Sequence, residues 1–220
     1  MSEPSKNSRR IRPTRRDLVS AVVLGAVAGP LTYAGAKHKD NDPNALVDSK
    51  DLDLELVQWS RTMPPTPSFP ATIDAYARYD GGTSCDTASK PGVVDVRNII
   101  FATYGSRAWS IGHPCTGVVS EHAEGRALDV AFNAYSRTSR KAANDFFWWL
   151  LRPDSHGNRH AMARRLGIMY AIWNRKMWRA YRPDEGWLPY TGTSNPHTNH
   201  FHLSFSWAGA LRRTTWWTMR

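Results

Sequence analysis

Cysteine is scarce in this sequence, since Cys85 and Cys115 are the only two among 220 residues. Neither belongs to a Cys-x-x-Cys redox motif or to a cysteine-rich metal finger. There is also no internal repeat and no low-complexity block, and 41% of the residues are hydrophobic, so a repeat array and wholesale disorder are excluded. A single disulfide closing a loop of about 30 residues would stabilise an exported protein by about 3.5 kcal/mol; two unrelated buried thiols are the alternative.

Long hydrophobic runs are also missing, because the uncharged apolar stretch from Leu18 to Ala34 has only 17 residues. A spanning helix needs about 20. Polar and basic residues precede this stretch, and the small residues Ala34, Gly35 and Ala36 end it, which is typical of a cleaved export signal. The Thr-Arg-Arg-Asp-Leu-Val stretch at 14–19 resembles a twin-arginine motif. We therefore predict a twin-arginine signal peptide over residues 1–36 and a secreted or cell-wall location. An uncleaved membrane anchor is the alternative.

Basic residues outnumber acidic ones by 29 to 19, so the formal charge is +10. The predicted signal contains six basic and two acidic residues, which leaves +6 on the rest of the chain. This mild excess is compatible with any anionic surface, including a bacterial cell wall. A nucleic-acid-binding protein is an alternative interpretation of the charge, but we expect no nucleic-acid partner.

The sequence after the signal indicates a linker and one domain. Residues 37–70 are first polar and then proline-rich, which predicts a linker with a short helix around Leu52–Trp59. Residues 71–220 are expected to form a single catalytic domain.

Hydrophobic periodicity within that domain predicts both helices and strands. We expect helices over Gly92–Tyr104, Ser139–Arg152 and Asn158–Leu166. Strands are expected over Arg126–Phe132, Ile168–Trp173, Met177–Tyr181 and Phe201–Trp207. The mixture lacks a regular strand-helix-strand period, so it favours an α+β fold with a small antiparallel β-sheet flanked by helices.

Two histidine-containing stretches are the candidates for chemistry. His200 and His202 are two residues apart on a predicted strand, so both would project from one face. His122 and Asp129 are separated by Gly125, which permits a tight turn, and could converge on one metal ion with an open fourth position. Surface or hydrogen-bonded histidines are the alternative.

The same residues resemble a known family. The motif Ser-x-His-x-x-Gly-x-Ala-x-Asp at 120–129, followed by His-x-His at 200–202, is similar to the zinc peptidases grouped with D-alanyl-D-alanine carboxypeptidases, lysostaphin-type endopeptidases and the hedgehog amino-terminal domain. Within that superfamily, the stretches at 168–178 and 196–207 resemble a secreted actinobacterial branch. The resemblance covers about residues 93–207 and implies one Zn²⁺ per chain bound by His122, Asp129 and His202. It also implies that His200 assists the catalytic water.

Other roles implied by the resemblance are less direct. Many carboxypeptidase relatives have a glutamate shortly before the last ligand, but this sequence has no acid between Gly186 and the carboxyl terminus. A histidine must therefore act instead, as in the lysostaphin-like members, or the activity is weak or absent. Arg107 is the candidate for the arginine that relatives direct at the substrate carboxylate or oxyanion. His197 would orient a ligand from outside the metal's coordination sphere, or it is a surface histidine.

Ten tryptophans are present, and core packing accounts for most of them. Trp173 and Trp187 are candidates for lining a substrate groove that accepts glycan or peptide.

Taken together, these patterns predict a secreted zinc metallopeptidase. The expected enzyme is monomeric and hydrolyses stem or cross-link peptides of peptidoglycan, as a carboxypeptidase or an endopeptidase. It would contact a membrane only if the signal stayed uncleaved. A non-catalytic, zinc-containing module that binds the cell wall is the alternative.

Overall fold

The computed structural model describes residues 60–116, 119–192 and 195–219, which belong to one compact unit. The predicted signal peptide, residues 37–59 of the predicted linker and the predicted helix at Leu52–Trp59 lie outside the described residues.

The described residues form a six-stranded sheet. Its strands in chain order are β1 (Trp109–Ser110), β2 (Ala127–Ala131), β3 (Ile168–Trp173), β4 (Lys176–Arg179), β5 (Leu188–Pro189) and β6 (His200–Phe205). The spatial order is β1-β2-β6-β3-β4-β5, and every neighbouring pair is antiparallel. The predicted α+β fold with a small antiparallel sheet is therefore confirmed.

Helices flank this sheet, together with a 3₁₀ turn at Pro183–Glu185. They are α1 (Pro91–Tyr104), α2 (Arg137–Leu151), α3 (Ala161–Leu166), α4 (Trp207–Ala210) and α5 (Thr215–Thr218). Within the described ranges, no helix has the length and hydrophobicity needed to cross a membrane.

Two helix starts differ from the prediction by more than one residue. The cap of α2 is Ser136, whose side chain accepts a hydrogen bond from the backbone of Ser139, so the cap lies three residues before the predicted one, Ser139. Helix α3 begins only at Ala161, because the Asp154 side chain accepts hydrogen bonds from the backbone of His156 and Asn158 and holds that stretch as a turn.

The two faces of the sheet have different surroundings. Side chains alternate along β6, so Phe201 lies on one face and His202 on the other. Phe201 stacks on Phe146 of α2 with ring centroids 5.2 Å apart, which identifies the helix-covered face. His202 is paired in register with Asp129 of β2, so both lie on the opposite face.

Residues 60–90 contain no helix or strand but pack against the helices. The backbone of Thr62 donates to Asp145, the indole of Trp149 donates to Thr66, and Phe69 contacts Trp216 with ring centroids 5.5 Å apart. Residues 60–70, which the sequence suggests as linker, therefore belong to the domain, and its boundary lies before residue 71.

A disulfide joins Cys85 to Cys115, so the alternative of two unrelated thiols is excluded. It ties the extended segment to the loop that follows β1. The backbone N–H of Asp86 also donates to the carbonyl of Ala123, which fixes the same segment to the turn that carries His122.

Candidate metal centre

Three side chains that the sequence suggests as ligands lie together on the face of the sheet opposite the helices. His122 is in the turn over residues 121–125, Asp129 is on β2, and His202 is on β6. His122 Nε2 is 3.3 Å from Asp129 Oδ2 and 3.3 Å from His202 Nδ1. His202 Nδ1 is 2.8 Å from Asp129 Oδ1. One nitrogen from each histidine and the carboxylate therefore point at a common centre.

Hydrogen bonds on the far side of each ring set which nitrogen faces that centre. His122 Nδ1 lies 2.6 Å from the carbonyl oxygen of Ile111, which can only accept, so Nδ1 carries the proton and Nε2 has a lone pair in the neutral ring. His202 Nε2 lies 2.9 Å from the hydroxyl of Ser204, and donation there leaves a lone pair on Nδ1.

This arrangement favours a cation at the centre, because one nitrogen of each ring faces the carboxylate and the groups attract one another only when a proton or a metal ion lies between them. Burial alone would lower the pKa of His122, but the carboxylate of Asp129 outweighs it and raises that pKa. Burial alone would raise the pKa of Asp129, but its hydrogen bonds with His122 and His202 hold it well below the usual range. The cluster thus stabilises positive charge, supplied by a proton or by a metal ion.

His113 is a member of the cluster that the sequence-based prediction misses. Its ring stacks on His122 with centroids 4.0 Å apart. One ligand atom from each of His113, His122 and Asp129 can be chosen so that all lie within 4.8 Å, and this group can hold a metal ion. The sequence suggests a structural turn, since His113 is next to Pro114 and close to Cys115. No residue pattern near His113 predicts that the loop after β1 places it beside His122.

His200 is placed beside the cluster rather than within it. Its Nε2 is 3.9 Å from Asp129 Oδ1. Its Nδ1 is 2.8 Å from Asn199 Oδ1, and the amide oxygen can only accept, so Nδ1 carries the proton and Nε2 is free to take another. Burial lowers the pKa of His200, which keeps it neutral near pH 7. Its role in catalysis stays a prediction.

His197 lies behind these rings. It is only 6% exposed, which excludes the surface alternative, and its ring is 4.7 Å from that of His200 and 5.9 Å from that of His202. Burial and the neighbouring histidines lower its pKa to about 4, so it is neutral. Whether it orients a ligand stays a prediction.

Tyr170 and Glu121 also border the cluster, although the sequence predicts no role for either. Tyr170 stacks on His202 at 5.4 Å and donates from its hydroxyl to Glu121 Oε2 at 3.1 Å. Burial and the nearby Glu121 carboxylate raise the pKa of Tyr170. The ring limits how His202 can turn. Tyr170 reaches His202 only because β3 and β6 pair in this register, so the spacing of the two residues along the chain does not predict the contact.

The turn that carries His122 is rigid for two reasons. Gly125 has φ +62°, and a Cβ there would lie 2.1 Å from the carbonyl oxygen of Ala88. Glu124, 1% exposed, bonds to the buried guanidinium of Arg126 at 2.6 Å and to the backbone of Thr83 and Ser84. Glu124 is therefore a structural carboxylate.

The guanidinium of Arg107 contacts the end of α1 and the residue that follows β2. It donates to the carbonyl of Tyr104 at 3.1 Å and lies 4.1 Å over the ring of Phe132, and burial lowers its pKa. These contacts do not join Arg107 to the metal cluster, so its assignment to an oxyanion or a substrate carboxylate stays a prediction.

Trp173 and Trp187 line one cavity of about 730 Å³. Trp173 directly follows Ile172, which is paired with His202, so it points to the opposite face of the sheet. Its indole donates to Asn144 of α2. These tryptophans therefore line a cavity on the helix side and not a groove over the metal cluster.

The comparisons with known proteins concern the same part of the chain. No curated protein and no solved structure matches the chain. The family model described as the VldE C-terminal domain matches residues 85–201. The matched region begins at the disulfide, contains His113, His122, Asp129 and His200, and stops one residue before His202. Because it covers more than half of the 220 residues, the chain belongs to the VldE C-terminal domain family.

Proposed function

We propose that the protein is a secreted zinc metallopeptidase that hydrolyses stem or cross-link peptides of peptidoglycan. The observation that carries this proposal is the spacing of the atoms of His122, Asp129 and His202 that face one another. A tetrahedral zinc ion with bonds of about 2.0–2.2 Å holds its ligand atoms about 3.3–3.6 Å apart. His122 Nε2 lies 3.3 Å from Asp129 Oδ2 and from His202 Nδ1, whereas His202 Nδ1 is 2.8 Å from Asp129 Oδ1 and would have to move apart slightly to share an ion.

The donor set fits zinc by chemistry as well as by spacing. Two imidazoles and one carboxylate are the ligand types of catalytic zinc sites, which keep the fourth position open. A bound zinc ion would supply a Lewis acid that activates water and polarises the scissile carbonyl. The negative charge of Asp129 offsets part of the charge of the ion.

His200 is the proposed general base. Its Nε2 carries a lone pair beside the Asp129 carboxylate, while Asn199 keeps the proton on Nδ1. The lowered pKa of His200 leaves the ring unprotonated at neutral pH. It can therefore take a proton from water and return it to the leaving amine.

The substrate class rests on the resemblance and on charge. The motif at 120–129 and the His-x-His at 200–202 are similar to those of peptidases that act on cell-wall peptides. The chain after the predicted export signal has a formal charge of +6, which suits work on an anionic wall.

The direct test incubates the purified protein with peptidoglycan and follows the release of free amino groups. We expect release by the zinc-loaded protein, none in the presence of a chelator, and recovery when zinc is added back. The His200→Ala variant is the matched control, since it should keep zinc but lose most release. Zinc retention without any release by the wild type would replace the proposal with a non-catalytic wall-binding module.

A further inference from the structure

A line of hydrogen bonds leads away from the metal cluster, starting from the nitrogen of His202 that does not face the proposed ion. The first bond joins His202 Nε2 to the Ser204 hydroxyl, 2.9 Å away. Ser204 is paired with Tyr170 across β6 and β3, and the hydroxyls of these two residues form the second bond. Tyr170 donates the third bond to Glu121 Oε2 at 3.1 Å. These four side chains, His202, Ser204, Tyr170 and Glu121, form one relay.

The number of protons in the relay sets the direction of each bond. The Glu121 carboxylate can only accept, so the single hydroxyl proton of Tyr170 is used there. The Tyr170 oxygen then accepts from Ser204, which uses the hydroxyl proton of Ser204 as well. Towards His202, Ser204 can therefore only accept, so the ring proton lies on Nε2. A metal ion at Nδ1 takes the place of the proton that lies between Nδ1 and Asp129 in the metal-free cluster.

Glu121 lacks the partners that would explain a buried carboxylate by packing alone. It is only 6% exposed, and among the described residues its Oε1 has no hydrogen-bond partner. No cationic side chain in the described ranges forms an ion pair with it. Glu124, three residues later, differs because it is paired with Arg126. A buried charge without a counter-charge costs free energy, so a cation at the far end of the relay accounts for Glu121 better than a structural role does.

We propose that Glu121 is a positioning residue for the metal site. Through Tyr170 and Ser204, it holds the ring proton of His202 on Nε2 and keeps Nδ1 available to bind zinc. The carboxylate strengthens the relay, because hydrogen bonds to an ionised acceptor are roughly twice as strong as neutral ones. Glu121 directly precedes His122, so the turn that carries one ligand also orients the ligand on β6. This inference rests on the proposed zinc site and assigns a role to side chains that do not contact the ion.

The first test measures zinc affinity by competition with a coloured chelator. Tyr170→Phe keeps the ring that stacks on His202 but removes the hydroxyl, and it should weaken zinc binding about tenfold. Glu121→Gln should also weaken binding about tenfold. In the Tyr170→Phe background the same change should cost no more than about threefold, because only the direct effect of the charge remains. Tyr79→Phe, on the neighbouring ring outside the relay, is the control and should leave the affinity unchanged.

The second test follows the ring protons by nuclear magnetic resonance of the zinc-loaded protein, with its histidines labelled with nitrogen-15. The buried Nε2 proton of His202 should give a downfield resonance that exchanges slowly with water. Tyr170→Phe should move this resonance upfield or broaden it by exchange, because Ser204 then no longer has to accept. The Nδ1 proton of His122, which faces the carbonyl of Ile111 outside the relay, is the internal control and should not move.

Equal losses of affinity from Glu121→Gln in both backgrounds would show that Glu121 acts by charge alone and would overturn the inference. Movement of the His122 and His202 resonances together in Tyr170→Phe would also overturn it, because that result indicates a general disturbance of the site. A wild type that binds zinc and hydrolyses peptide, with unchanged affinity in every variant, would contradict the relay only. A wild type that binds no zinc would contradict the proposed function as well, so the two failures are distinguishable.

Discussion

The hydroxyl of Ser204 lies 2.9 Å from Nε2 of His202, on the side of the ring away from Asp129. Both residues are on one face of β6, and Ser204 is fully buried. Ser204 thus acts on the metal cluster through the tautomer of His202.

We predict that Ser204→Ala weakens zinc binding about 10- to 100-fold, because loss of the acceptor lets the proton move to the nitrogen that should bind the ion. Competition with a coloured chelator measures this. The free energy of unfolding with chelator present should change by only about 1 kcal/mol, as for one hydrogen bond. An unchanged zinc affinity in the Ser204→Ala variant would contradict the role of Ser204 in orienting the proton of His202.

Replacement of His200 should reduce hydrolysis without reducing zinc binding. His200→Ala is expected to retain one zinc ion while kcat falls about 10²- to 10⁴-fold, the usual contribution of a general base. Asn199→Ala should also lower kcat, and by less, because the ring stays in place but either nitrogen can carry the proton. Metal content and initial rates give both results, and full activity of His200→Ala would contradict the assignment.

The affinity for zinc should decrease in acid. In the metal-free protein the pKa of His122 is raised above 6.5, so below that pKa the ion must displace a proton. The carboxylate of Asp129, whose pKa is held far below the usual range, stays ionised throughout. Because of His122, the logarithm of the zinc dissociation constant should rise by about one for each pH unit below the pKa of His122. Isothermal titration from pH 5 to 8 tests this, and a flat profile would contradict it.

The buried pair of Glu124 and Arg126 should matter for stability. Glu124→Gln is expected to lower the free energy of unfolding by about 3–5 kcal/mol, because it leaves a buried guanidinium without its counter-charge. Glu185→Gln, which removes a surface carboxylate paired with Arg179, is the control and should cost less than about 1 kcal/mol.

The same pair also predicts a pH dependence. Burial would raise the pKa of Glu124, but its hydrogen bonds outweigh this and lower it below 4.5. The stability it contributes is therefore fully present above pH 4.5 and lost as the pH falls through the lower, folded value. Urea unfolding should show a shallower loss below pH 4.5 in Glu124→Gln than in the wild type. Parallel curves would contradict this.

The sequence predicts those parts of the fold in which local pattern and packing agree. Alternation predicts β2 and β6, and the thick apolar face followed by Pro153 predicts the end of α2. The two-residue strands β1 and β5 are not predicted, because pairing with longer neighbours defines them. Ser136 caps α2 because its backbone is extended and its side chain accepts from the N–H of Ser139, which itself lies inside the helix.

The residues of the candidate site also fall into those that the sequence predicts and those that it does not. His122, Asp129 and His202 belong to motifs whose residue types and spacing resemble those of a known family. The sequence therefore predicts that they lie together. Tyr170 reaches the cluster through the register between β3 and β6, His113 reaches it through the loop after β1, and Ile111 contributes a backbone carbonyl that no side-chain pattern reveals. Ser204 is two residues after His202 on β6 and so lies on the same face. Trp173 belongs to the other face because it follows Ile172 on β3, which requires knowing that Ile172 pairs with His202.

Mass spectrometry of the products from defined muropeptides tests the central claim most directly. The zinc-loaded protein should convert a cross-linked or pentapeptide-bearing muropeptide into fragments separated at one peptide bond. The chelator-treated protein and the His200→Ala variant should leave it intact. Intact muropeptides after incubation with a wild-type protein that holds one zinc ion per chain would contradict the assignment as a peptidoglycan peptidase.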